Sequence, residues 1–163
     1  MRSDGLNQSS GKYGLNQIRQ IIYSQDVGST IELAPEQSGA LVLLRNCGAA
    51  KLINLPDASD NDGVWYDFYL HETLSAHTTT IQSQDGTDYF LGTVADGEGD
   101  GTSGVTTEVA FNGSSHDQLV VAASATAGEF EMRLVCDGSN WLIMHGISQD
   151  ISDISQGTGS SNT

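Results

Sequence analysis

From Ser29 onward, apolar and polar residues alternate with a period of two, the spacing that turns one side of a strand to a core and the other to water. The alternation is cleanest at Glu129 to Cys136, where Phe130, Met132, Leu134 and Cys136 share one face and Glu129, Glu131 and Arg133 the other. Val64, Tyr66, Phe68 and Leu70 alternate in the same manner with Trp65, Asp67, Tyr69 and His71, which leaves two aromatics on the face that should be polar. Segments bounded by turn residues predict strands at Ser29–Leu33, Ala40–Asn46, Lys51–Leu55, Val64–Thr73, Thr78–Ser83, Tyr89–Ala95, Thr106–Asn112, Gln118–Ala123, Glu129–Cys136 and Trp141–Ile147. Asp137-Gly138-Ser139-Asn140 tolerates left-handed backbone, so the last two strands should form a hairpin. Short, regular strands with Gly-rich turns predict an all-β domain, an antiparallel β-sandwich or jelly-roll-like fold, because an open sheet would expose long edges.

The two ends of the chain read differently. Residues 1–27 form an extended N-terminal arm of Ser, Asn, Gln and Gly with scattered Leu and Tyr, too polar in its first 17 residues to offset the entropy of ordering. Ile18, Ile21, Ile22 and Tyr23 then form an apolar cluster, and their spacing fits either one helical turn or a strand that anchors the arm. Residues 28–148 make the β-sandwich domain, and residues 149–163 a flexible tail, expected to lack order beyond Ile154.

Composition and charge narrow the partners. Nineteen Gly against two Pro, with abundant Ser, Thr, Asp and Asn, suit short strands and turns. The formal charge is −15; residues 1–19 hold Arg2, Lys12 and Arg19 against Asp4, or +2, which leaves −17 for the remainder. A body with that field repels phosphate, so neither nucleic acid nor a membrane surface is an expected partner. No apolar run approaches a membrane span, and Met1 to Ser10 is too polar for a secretory signal, so synthesis in the cytoplasm is expected. Cys47 and Cys136 match no metal or redox spacing and read as buried free thiols.

Candidate chemistry is sparse. Gly99-Asp100-Gly101-Thr102-Ser103-Gly104 matches a dinucleotide fingerprint in letters only, since a strand, not a helix, is expected after it. Asp96, Glu98 and Asp100 alternate with glycines like the start of a calcium loop, but Thr107 stands where the closing carboxylate belongs. Asp57, Asp60 and Asp62 read as a polar turn, and His71, His77, His116 and His145 lack ligand spacing. No nucleophile elbow is present, so no cofactor, no metal and no enzymatic activity are expected. Trp65, Tyr69 and Trp141 are the binding candidates, because exposed aromatics make contacts at small entropic cost; for Trp141 burial in the core is the favoured alternative, and for Trp65 and Tyr69 core and surface weigh equally.

Four stretches carry a resemblance: Gly28-Ser29-Thr30-Ile31-Glu32-Leu33, Lys51-Leu52-Ile53-Asn54-Leu55-Pro56-Asp57, Gly63-Val64-Trp65-Tyr66-Asp67-Phe68, and Leu134-Val135-Cys136-Asp137-Gly138-Ser139-Asn140-Trp141. Over Gly28 to Ser148 the chain resembles the β-rich structural proteins of tailed bacteriophages, particularly the head decoration, or cement, proteins. The resemblance implies a virion protein on the outer capsid surface, assembled in the host cytoplasm, forming a homotrimer that clamps the major capsid protein. It also implies an N-terminal docking arm, for which Lys12, Tyr13, Ile18, Arg19, Ile21, Ile22 and Tyr23 are the candidate contacts, while Trp65 and Tyr69 are candidates for an oligomer or partner surface. An extended arm can dock by adding a strand to a sheet edge, which asks little of its sequence. The rival expectation is a carbohydrate- or receptor-binding tail or fibre module using Trp65, Tyr69 and Trp141.

Overall fold

The computed structural model describes residues 19–24, 29–84, 87–97 and 108–159. Among them lie twelve strands: β1 Ile21–Tyr23, β2 Thr30–Glu32, β3 Leu41–Leu44, β4 Lys51–Asn54, β5 Trp65–Leu70, β6 Thr79–Gln82, β7 Tyr89–Asp96, β8 Glu108–Asn112, β9 Gln118–Val121, β10 Phe130–Cys136, β11 Asn140–Ser148 and β12 Ile154–Gly157. Single 3-10 turns at Pro35–Gln37 and Ile151–Asp153 are the helical elements of the described residues. No helix there is long and apolar enough to cross a membrane.

The strands build a β-sandwich. A seven-stranded sheet has the order β1-β3-β5-β10-β11-β7-β8, and a five-stranded sheet the order β12-β9-β6-β4-β2. From β1 to β7 the chain crosses to the other sheet at every step, so β1, β3 and β5 return to the large sheet running the same way, as β2, β4 and β6 do in the small one. A parallel pair needs a long crossover, and here a strand of the opposite sheet supplies it. Both sheets are therefore mixed, where the strand and turn pattern had suggested antiparallel pairing throughout. The β10–β11 hairpin forms as its turn predicts, with Gly138 at φ 85° and the Asp137 carboxylate accepting from Ser139 N and Asn140 N at 2.9 and 2.7 Å.

Alternation decides the core. Tyr66, Phe68 and Leu70 of β5 and Phe130, Met132, Leu134 and Cys136 of β10 point inward, against Ile53, Ile81, Leu119 and Val121 of the small sheet. The Tyr66 hydroxyl donates to Ala34 O at 2.7 Å and ties β5 to the first 3-10 turn. Burial, then the nearby Glu36 charge, push that phenol far above its ordinary pKa. Trp141 is wholly buried, its ring 5.9 Å from that of Tyr66, so it serves the core and not a binding surface. Cys136 is buried and Cys47 half-buried, and both are free thiols; burial raises the Cys136 pKa.

Both ends of the domain extend further than the sequence boundaries. Ile21–Tyr23, within the expected arm, is a strand of the large sheet in parallel register with Leu41–Leu43, and Ile22 packs on the core. Ile154–Gly157, within the expected flexible tail, pairs antiparallel with Gln118–Val121, and Ile151 and Ile154 are buried beside it. A run of three or four residues shows too little periodicity to be recognised alone, and each of these strands is held by its partner and by the apolar side chains it buries.

Candidate functional site

The outer face of the large sheet gathers the chemistry-bearing side chains. Register sets Ile21, Leu41, Asp67, Arg133 and His145 in one row across five strands. A second row runs Tyr23, Leu43, Tyr69, Glu131, Ile147 and Ala95, and a third Trp65, Val135, Leu142, Leu91 and Asn112. The β5 and β10 parity that buries Phe68 and Met132 is what turns Asp67, Tyr69, Glu131 and Arg133 outward.

Asp67 is the centre. Arg133 binds it in bidentate fashion, Nε to Oδ1 at 2.7 Å and Nη2 to Oδ2 at 2.8 Å, and Arg19 Nη2 donates to the same Oδ2. Arg19 Nε also donates to Gly39 O at 3.0 Å. Both guanidiniums lie over the Trp65 ring, 4.6 Å from its centroid for Arg133 and 5.5 Å for Arg19, where the π face favours a cation. Gly39, at φ 88°, lets its backbone approach Trp65: a side chain there would meet the indole at 3.3 Å. Burial raises the Asp67 pKa, but the hydrogen bonds from Arg133 and Arg19, with their charge, more than offset it and hold the carboxyl below the usual range.

Beside this cluster the His145 ring and the Glu131 carboxylate meet at 2.9 Å, Nε2 to Oε1. A bulge in β11 between Ile143 and His145 leaves Met144 without a pairing partner on β10 and 63% exposed. An open groove of about 530 Å³ runs between Arg19, Leu41, Tyr69, Glu131, Met144 and His145. Arg19 walls it off from a second hollow of about 400 Å³ beside Gln37, Ser38 and Trp65. The surface offers an aromatic ring, a thioether and paired charges.

Of the residues singled out in the sequence, Arg19, Trp65 and Tyr69 come together on this face. Ile21 stands exposed at its edge, Ile22 turns to the core, and Tyr23 packs under the Arg45 guanidinium at 5.1 Å. Lys12, Tyr13 and Ile18 lie outside the described residues, as do Gly99 to Gly104 and most of the acidic loop. Asp57 serves its own turn, its Oδ1 accepting from Ser59 N at 2.8 Å. No three His, Cys, Asp or Glu side chains among the described residues converge as a metal site would require. Sequence reasoning placed Arg133 and Glu131 only as a solvent face, and overlooked Asp67 and Met144 as parts of a site. Asp67 lies 48 residues from Arg19 and 66 from Arg133, so no local spacing could have paired them. The chain matches no protein-family model and no curated protein.

Proposed function

We propose that the chain is a virion structural protein, a capsid decoration or cement protein that attaches to the outer surface of a tailed-phage head and stabilises it. Its partners in this reading are the major capsid protein and further copies of itself, as the sequence resemblance implies. The observation that carries the reading is where the N-terminal segment joins the body: at Arg19, beside the edge strand β1 and on the rim of the exposed, aromatic face. A segment leaving an edge strand can extend pairing onto a neighbouring sheet, with Tyr13 and Ile18 as anchors and Lys12 as a charge contact. Ile22 and Tyr23 then fix its root, Ile22 on the core and Tyr23 under Arg45, while Ile21 stands exposed at the sheet edge as a further contact. The titratable groups on the face support a binding role over catalysis, since Asp67, Arg19 and Arg133 are satisfied by one another.

Co-sedimentation with mature phage heads and with empty precursor shells tests this. The full chain should pellet with mature heads, and the chain lacking residues 1–18 should stay folded and bind at least about tenfold more weakly, the loss expected when main anchors are removed. Unchanged affinity would move docking onto the β body, and absence of binding by the full chain would sink the reading. A second reading, a carbohydrate-binding module, is favoured by the groove at Tyr69 flanked by Glu131 and His145. A glycan array separates the two, because a cement protein should bind no sugar.

A further inference from the structure

The large apolar side chains most open to water among the described residues are Ile21 at 49%, Tyr69 at 37%, Leu91 at 41% and Met144 at 63% exposure. All of them belong to the outer face of the large sheet. The small sheet covers its outer face differently, with a row of Glu32, Asn54, Gln82 and Gln118 linked side chain to side chain at 2.7 Å between Asn54 and Glu32 and between Gln118 and Gln82. Apolar residues scattered singly over a surface need no explanation, but their concentration on one sheet face marks a surface that something covers.

We propose that in the free protein this face is covered by the chain's own N-terminal segment, residues 1–18. The point of attachment favours it: Arg19, the next residue, already lies on the face, held by Asp67 and Gly39 O and stacked on Trp65. Its length suffices, because crossing seven strands spaced about 4.8 Å apart takes about 29 Å, while eighteen extended residues reach about 60 Å. Its chemistry matches as well. Leu6, Tyr13, Leu15 and Ile18 can meet the exposed apolar side chains, and Arg2 and Lys12 against Asp4 make the segment +1 beside a remainder of −16.

A second copy of the chain is the weaker candidate. It would bring a further charge of −15 to the same face, whereas a tethered segment acts at an effective concentration near millimolar. The inference concerns the free protein and does not rest on the capsid reading. A partner that takes the segment away would uncover the face.

Methionine oxidation reads the cover directly. Met144 is open on the face, while Met132, at 2% exposure, lies in the core of the same domain and serves as an internal control. Dilute hydrogen peroxide oxidises thioethers according to their access, and peptide mass spectrometry follows each site. In the full chain Met144 should oxidise about fivefold more slowly than in the chain lacking residues 1–18, independently of protein concentration, with Met132 protected in both. Equal Met144 rates would overturn the proposal, and so would protection that fades on dilution, which would assign the cover to a second copy. Should the truncated chain lose Met132 protection and so prove unfolded, the full-length triple variant Tyr13→Ser, Leu15→Ser, Ile18→Ser decides. It should speed Met144 oxidation by a similar factor, and an unchanged rate would overturn the proposal.

Discussion

Asp67 shows how a single side chain can organise a surface. Without its carboxylate, Arg19 and Arg133 would face each other as like charges over Trp65. A carboxyl whose folded pKa is depressed stabilises the fold above its unfolded value of about 3.9, and that contribution fades as pH falls through the folded value. Asp67→Asn should therefore cost about 1–2 kcal/mol near neutral pH, toward the lower end for charge-assisted hydrogen bonds because both arginines are partly exposed. Urea unfolding would measure it. The gap between wild type and variant should narrow below about pH 4, and a gap that stays constant with pH would mean that Asp67 acts through packing, not charge.

Among the elements, the terminal strands β1 and β12 carry more weight than their length suggests. β12 shields the edge of β9, and with the preceding 3-10 turn it brings Ile151 and Ile154 into the core. Ser124 Oγ, donating to Asp153 Oδ1 at 2.5 Å, and Gly159 N, donating to Asp117 Oδ1 at 2.6 Å, fasten the same stretch at both ends. Ending the chain after Asp150 should destabilise it by about 3–5 kcal/mol, from two aliphatic side chains at about 1.5–3 kcal/mol each, tempered by residual order in the unfolded chain. Urea midpoints of the full and shortened chains would test this, and a loss under about 1 kcal/mol would show that β12 only decorates the edge. Alternation along β5 and β10 was readable from the sequence because facing is a local property of an extended backbone. The membership of β1 and β12 was not, because it depends on Leu41–Leu43 and Gln118–Val121, whose availability no local pattern reports.

The whole molecule carries a charge of −15 on a fold that places two of its six basic residues, Arg19 and Arg133, against one carboxylate. The net negative charge that remains is self-repelling, and the ion pair of Arg45 with Glu72 offsets little of this. Screening should relieve the repulsion, so raising sodium chloride from about 0.02 to about 0.5 M should raise the thermal midpoint by a few degrees. Differential scanning fluorimetry is sufficient to see it. A fall in the midpoint would instead show that the attractive pairs around Asp67 outweigh the net repulsion.

Local chemistry along the chain was enough to set the alternation of faces in β5 and β10, the positions of the turns, and the β-sandwich class of the domain. Ser29 to Leu33 and Trp141 to Ile147, like the eight segments between them, each contain a strand, because period-two alternation and turn chemistry are fixed by neighbours along the chain. Strand direction and partnership came from long-range pairing, since alternation is identical in parallel and antiparallel pairs and the choice follows from the repeated crossing between sheets. The tertiary structure likewise brought Trp65 and Tyr69, for which the sequence left core and surface equally open, onto one surface with Arg19, Asp67 and Arg133. Those five meet because β1, β5 and β10 come together across the large sheet, a proximity that depends on long-range pairing and leaves no trace in local spacing.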